Sequence, residues 1–422
     1  MLTFVTLVGV AAVPLVISYT GYDHFRLPKQ LFLYTVAITT AAIAGIGVLL
    51  RRLNVVDEAR NMGPILWVAS AGFCWLIVTG ATSTNRALSM PAMVWVTSLM
   101  MLFFVLAFVV RHAPFSSVAA AILIPAVINS VVVVLQAFEV WNPWVFHPHE
   151  EPRMMKNALL GNPNDVAVYL VGPALFAFAT AFYGRTLRWW YGAVAVLLTA
   201  AIVLTETMTC IAAIVCGALL LFMRNGYRQR RTVIAAVILG AIVFAAASFF
   251  PPIRNRIDQA ASAYEQNQWD QLARGRLMPL KAASKMFIDH PLTGVGPGAF
   301  KFQYLPYRIA VGYENPRLAR ERVSSAVNFG ELHNDHMQIL AETGIPGLVV
   351  SFAAFFLLLR ISRRRVPEPT ETKARIAEVL ALPFGVTLAF IMLAQFPWHL
   401  AAPACANIVI AACCFAWSAD VA

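Results

Sequence analysis

The residues of this sequence that could do chemistry gather in one polar stretch, about 251–344. Near its end, Glu331-Leu332-His333-Asn334-Asp335-His336-Met337-Gln338 leads on to Thr343 and then Gly344-Ile345-Pro346-Gly347. Asn334 or Asp335 can cap a short helix there, and Gly344 can end it before Pro346 opens the next. His333 then lies beside the positive end of a helix dipole. That end disfavours imidazolium and leaves a neutral ring able to act as a base; it also attracts anions. His333 and His336, three residues apart, could instead ligate a metal, but no third ligand has a suggestive spacing and no metal is assigned. A plain hydrogen-bonding histidine is the remaining reading.

Upstream, Arg276, Lys281 and Lys285 fall on roughly one side of a helix whose apolar stripe is Leu277, Leu280, Met286 and Phe287, ended by His290-Pro291. Two readings stay open. The stems can snorkel toward lipid headgroups, or the cations can hold a pyrophosphate, for which arginine offers a bidentate fork. Between the two groups, Gly294-Val295-Gly296-Pro297-Gly298-Ala299-Phe300 superficially has the look of a dinucleotide fingerprint. No strand precedes it and Pro297 spoils the helix entry, so it predicts a turn.

What positions these residues is a membrane. The chain has 422 residues, is 59% hydrophobic and 13% charged, and has a mean hydropathy of +0.69. A soluble multidomain enzyme is excluded, because such a chain could not cover its surface with polar groups. Twelve apolar runs long enough to cross a bilayer are predicted: 2–20, 30–50, 65–83, 92–110, 116–138, 166–183, 189–205, 207–223, 232–250, 345–360, 379–396 and 401–418. The expected fold is therefore all-α and polytopic, with a long helical loop between helices nine and ten. Its expected units are 1–250, 251–344 and 345–422. The first run starts at Met1 with no basic stretch before it and reads as a retained helix. The seventh and eighth, parted by little more than Glu206, read as a tight hairpin.

Loops after even-numbered helices hold 16 Lys and Arg against 5 in the short loops after odd-numbered ones. The even loops and both termini are accordingly expected in the cytoplasm, and the long loop outside. The net charge of +11 is read first as this topology signal; no nucleic-acid partner is expected. All six cysteines fall in apolar stretches without a CxxC spacing, which argues against disulfides and zinc. Apart from Arg360, the last residue of the tenth, no Asp, Glu, Lys or Arg falls inside the spans as drawn. An ion-coupled transporter would usually place such groups at the midplane.

The order of these motifs resembles the O-antigen ligase superfamily. The shared pattern is His333-Asn334, nine residues, Gly344, two residues, Gly347. Ahead of it come the Arg276 helix, Asp289-His290-Pro291-Leu292, the turn with Gly294 and Gly296, and Tyr304. Gly161-Asn162-Pro163-Asn164 and the segment Arg26-Leu27-Pro28-Lys29 also resemble it. The resemblance implies a multi-pass glycosyltransferase of the bacterial inner membrane, working on the periplasmic face without nucleotide or metal. Its donor would be a glycan on undecaprenyl pyrophosphate and its acceptor the lipid A-core, among membrane lipids. Arg276 would stabilise the leaving pyrophosphate, joined by Lys281 and Lys285. His333 would take the acceptor proton in a single inverting displacement, and Asn334 would orient or brace.

One departure stands out. Where the family often carries a Ser-Arg pair near helices seven and eight, this chain has Thr205-Glu206-Thr207-Met208-Thr209. Arg26, Lys29, Arg153, Arg254 and Arg256 are the candidates to replace that arginine at the donor pyrophosphate. An O-antigen polymerase or a protein glycan ligase of the same superfamily, a transporter and a scaffold without chemistry are the rival readings.

Overall fold

In hydrocarbon a backbone must satisfy its own N–H and C=O groups, so apolar runs of this length fold as helices. The computed structural model describes residues 1–21, 23–54, 60, 62–142, 153–184, 187–226, 251–316, 318, 330–363 and 372–419. Its helices are α1 (Leu2–Ala12), α2 (Arg26–Leu49), α3 (Pro64–Ala81), α4 (Arg86–His112), α5 (Phe115–Ala137), α6 (Pro163–Tyr183), α7 (Arg188–Leu204), α8 (Met208–Gly226), α9 (Pro251–Glu265), α10 (Trp269–Leu272), α11 (Leu277–Asp289), α12 (Phe300–Glu314), α13 (Asp335–Arg363), α14 (Thr372–Ile391) and α15 (Ala401–Ala419). No strand occurs among the described residues. Among the described residues, eight helices are long and apolar enough to cross a membrane (α2–α6 and α13–α15), and α1, α7 and α8 are shorter apolar helices. The protein is an all-helical, polytopic membrane protein. The expected ninth span, 232–250, lies outside the described residues.

Helix starts follow local chemistry. The Asn85 side chain accepts from Leu88 N at 3.2 Å to cap α4, and Asn162 accepts from Asn164 N at 2.8 Å ahead of Pro163. Buried α6 and α15 run through the centre, carrying Tyr169, Phe176 and Trp417, whose indole N–H donates to Val110 O at 2.8 Å. Peripheral α2, α3 and α13 instead turn Ile38, Trp67, Val349 and Phe356 outward, the sides that would meet lipid.

The loops sort to two ends. At one end Lys373 donates to Arg111 O at 2.9 Å, and Arg224 donates to Ser362 O at 2.7 Å and meets Glu378 at 3.4 Å. These residues come from the arginine-rich loops after the fourth, eighth and tenth apolar helices or from the helix ends beside them. The long polar stretch occupies the opposite end. There α11 and α12 enclose a small core of Ala282, Met286, Phe300 and Tyr304 that continues into Leu332 and Ala341.

The short helix expected from Asn334 or Asp335 to Gly344 forms as the first part of α13, which begins at Asp335 and is broken at Gly344 (φ 68°, ψ −170°) before Pro346. A Cβ at Gly344 would run into the Leu292 carbonyl. The predicted turn does form beside this break: Val295 N donates to Ala341 O at 2.9 Å, Gly296 N to Glu342 O at 3.0 Å and Ile345 N to Pro291 O at 3.0 Å. Helix α14 ends at Ile391 instead of 396, and the carbonyls of Met392, Leu393 and Ala394 just beyond it accept from Asp335, Asn334 and Arg276.

Candidate active site

Those three carbonyls are where the site is built. Asp335 N donates to Met392 O at 2.9 Å, Asn334 Nδ2 to Leu393 O at 3.0 Å, and Arg276 Nη1 to Ala394 O at 2.7 Å. A helix C-terminus leaves carbonyls without intrahelical partners and carries partial negative charge, so it suits a guanidinium. Asn334 also accepts from Met337 N at 2.9 Å and is thereby the N-cap of α13. The expected capping geometry and the end of α14 thus lock together through one side chain.

His333 occupies the left-handed region at φ 60°, which only surrounding contacts can impose on a non-glycine residue. Its Nδ1 lies 3.1 Å from the Glu331 carbonyl. A carbonyl only accepts, so in the neutral ring Nδ1 carries the proton and Nε2 the lone pair. The edge of the ring meets Phe396, centroids 4.6 Å apart at 75°. On the same phenyl lies Arg26, its guanidinium carbon 5.7 Å from the ring centroid. Burial, then the positive charges of Arg276 and Arg26, push the His333 pKa down to about 4, against the opposing pull of Glu331. The ring is neutral at pH 7. Burial and Arg274 likewise lower the pKa of Arg276 from its ordinary value.

Of the other expected cations, Arg26 joins His333 and the rest go elsewhere. Arg26 is held by buried Asp165, with Nε 3.0 Å from Oδ2 and Nη2 2.9 Å from it. Lys29 donates to the carbonyls of Val16, Phe25 and Leu159 at 2.7, 3.2 and 2.6 Å. Those bonds use all three of its N–H donors and tie α2 to the segment before α6. Lys281 donates to Asn315 Oδ1 at 2.8 Å and Lys285 pairs with Glu314, so both turn to the end of α12 and not toward Arg276. Arg254 stands exposed on α9. The Arg256 side chain lies outside the described part. Gly347 packs against the Thr343 side chain, while Gly294 and Gly296 line the turn pressed between Glu342 and Ser83.

At the turn lacking the family's arginine, another one is present. Arg153 Nε donates to Thr205 O at 3.0 Å and its Nη2 to Thr207 Oγ1 at 3.3 Å, with Asn164 Oδ1 as a further acceptor. Lys156 Nζ lies 2.7 Å from Glu206. Among the candidates named from sequence, Arg153 is the one that brings a guanidinium to this turn, and Asn164 and Asp165, adjacent at the start of α6, hold Arg153 and Arg26.

Residues 193–352 match a family model described as O-antigen ligase. That match supports the O-antigen ligase superfamily for this segment. It contains Arg276, the glycine turn, His333, Asn334, Gly344 and Gly347, whereas Arg26, Arg153 and Phe396 lie outside it. Members of this superfamily are membrane glycosyltransferase-like enzymes, ligases and polymerases. The helices and the family together point to a bacterial membrane protein. No curated protein matches the chain.

Sequence reasoning missed the other half of this candidate site. Residues 392–400 leave the helix and bring Phe396 to His333 and His399 to Asp335, with Nδ1 2.9 Å from Oδ1. The available signal was Pro397 flanked by Phe396, Trp398 and His399, an aromatic break between two apolar runs. On the far side of the 331–335 peptide opens a cavity of about 610 Å³. Glu331, Asp335, Glu342 and His399 line its polar end, and apolar side chains of α3, α4, α13 and α14 line its length. Its size is that of an ordinary small-molecule pocket, and its lining suits hydrocarbon.

Proposed function

We propose that the protein transfers an O-antigen glycan from undecaprenyl pyrophosphate to a hydroxyl of the lipid A-core, at the periplasmic face of the inner membrane. The observation that carries this reading is the meeting of a neutral, tautomer-fixed histidine with Arg26 across Phe396 and with the charge of Arg276, held on the Ala394 carbonyl. Charge develops on the departing pyrophosphate, and a guanidinium beside the bond that breaks stabilises it there. Arg276, with Arg26 and Arg153 nearer the membrane-embedded helices, is assigned that role, so the cations take the place of a divalent metal. His333 Nε2 accepts the acceptor hydroxyl's proton as the oxygen attacks the anomeric carbon. The carbon–oxygen bond to phosphate breaks on the opposite side, and the anomeric configuration inverts. The apolar cavity suits the hydrocarbon part of a lipid substrate.

The test is reconstitution in vesicles with a carrier-linked glycan and lipid A-core, without any ion gradient, followed by mass analysis. Glycan attached to lipid A-core is the expected product. Longer carrier-linked glycan would show a polymerase, and glycan moved across the membrane unchanged would show a transporter.

A further inference from the structure

His399 lies in the short turn Pro397–His399 between α14 and α15, outside the segment matched by the family. Its Nδ1 donates to the Asp335 carboxylate, whose side chain is fully buried and also accepts from Trp398 N at 3.2 Å. On the other edge of the ring, Nε2 lies 3.2 Å from the Gln338 amide nitrogen and 3.6 Å from Glu331 Oε2, to which that same amide donates. Glu331 therefore connects two histidines: its carboxylate faces His399, and its backbone carbonyl takes the Nδ1 proton of His333. Gln338 completes the clamp. Its side-chain oxygen accepts from Leu332 N at 2.9 Å, which fixes its amide nitrogen as the donor to Glu331 and Glu342.

We infer that His399 is a positioning residue for His333: anchored on Asp335, it holds Glu331 so that the Glu331 carbonyl keeps His333 in its Nδ1–H tautomer. This rests on the general-base role given to His333 above. The charge state supports it. Burial opposes protonation of His399, but Glu331, Asp335 and Glu342 around the ring outweigh that and push its pKa up to about 10. The three carboxylates thus favour a charged His399, whereas burial and the two arginines favour a neutral His333. A histidine at φ 60° has no intrinsic preference for its place. Removing the cation that faces Glu331 releases the peptide that places it.

The experiment uses the full-length protein in lipid nanodiscs, with ¹⁵N-labelled histidine, and follows His333 by solid-state NMR together with transfer kinetics. His399→Gln keeps a donor for Asp335 and removes the charge; Glu331→Gln cuts the same contact from the other side. Wild type should show a single Nδ1–H tautomer for His333, and each variant a mixture of tautomers. Each should also lose transfer on the order of 10- to 10²-fold in kcat, with the KM for carrier unchanged. The double variant should lose no more than the worse single one, as expected for two ends of one contact. An unchanged His333 tautomer in His399→Gln, or additive losses in the double variant, would overturn the inference. If the tautomer shifts as expected but His333→Ala transfers at the wild-type rate, the general-base reading fails while the positioning stands.

Discussion

At the scale of single residues, the depressed pKa of His333 makes a pH profile informative. With its pKa held near 4, the basic form is present throughout pH 5–8. The log of kcat/KM should therefore rise with pH through about 4 and show no acid limb from His333 between 6 and 7. Arg276→Ala removes a cation that opposes protonation, so the limb should move to higher pH, whereas Arg276→Lys keeps the charge and should leave it in place. A limb at the unperturbed histidine position in wild type would contradict the buried, cation-flanked geometry. Arg276→Lys should nonetheless restore transfer only partly, since an ammonium reproduces neither the fork nor the bond to Ala394 O. The direction of the His333 shift was legible in the sequence from the helix start at Asn334. Its principal causes, burial and the Arg276 charge, were not, because they depend on where α11 docks.

At the scale of elements, the claim is that α13 and α14 are locked together by side chains of the loop. Asn334→Ala removes both the cap on Met337 N and the bond to Leu393 O, and should destabilise the fold by about 1 kcal/mol or more. Thermal unfolding in detergent measures this; an unchanged Tm would mean the lock carries no weight. Gly344→Ala and Gly347→Ala separate two kinds of glycine. The first forces a Cβ against the Leu292 carbonyl at positive φ, a backbone conflict, and the second meets only the Thr343 side chain. Gly344→Ala should lower Tm markedly more than Gly347→Ala, and equal effects would contradict the break at Gly344 as the reason for that glycine. Here the sequence was partly legible. Gly344, Pro346 and Asn334 announced the helix ends, since capping is local. The partners of the carbonyls beyond α14 were not announced, because Asp335, Asn334 and Arg276 lie far along the chain from them. Nor was the turning of Lys281 and Lys285 toward α12, since a helical face has no direction until its neighbour is known.

At the scale of the whole molecule, hydropathy alone located the membrane helices, because a bilayer leaves long apolar runs few alternatives. Arg111, Arg224 and Lys373 gather at one end and the polar stretch lies at the other. In a Cys74→Ser background, cysteine at Ser262 should label with an impermeant reagent from the periplasm, and cysteine at Asn54 only after the inner membrane is opened. The reverse pattern would invert the orientation. What hydropathy could not supply is that α2, α6 and the loop after α14 meet the long polar stretch around Phe396. That convergence separates the work of the site between cations for the departing anion and a neutral histidine for the acceptor proton. The most direct measurement of this division is transfer and carrier-lipid affinity, side by side, in purified His333→Ala. The account predicts transfer lowered by at least about 10²-fold, the low end for a general base, with affinity for the polyprenyl-pyrophosphate carrier nearly unchanged. Transfer at the wild-type rate, or loss of carrier affinity in step with transfer, would contradict it.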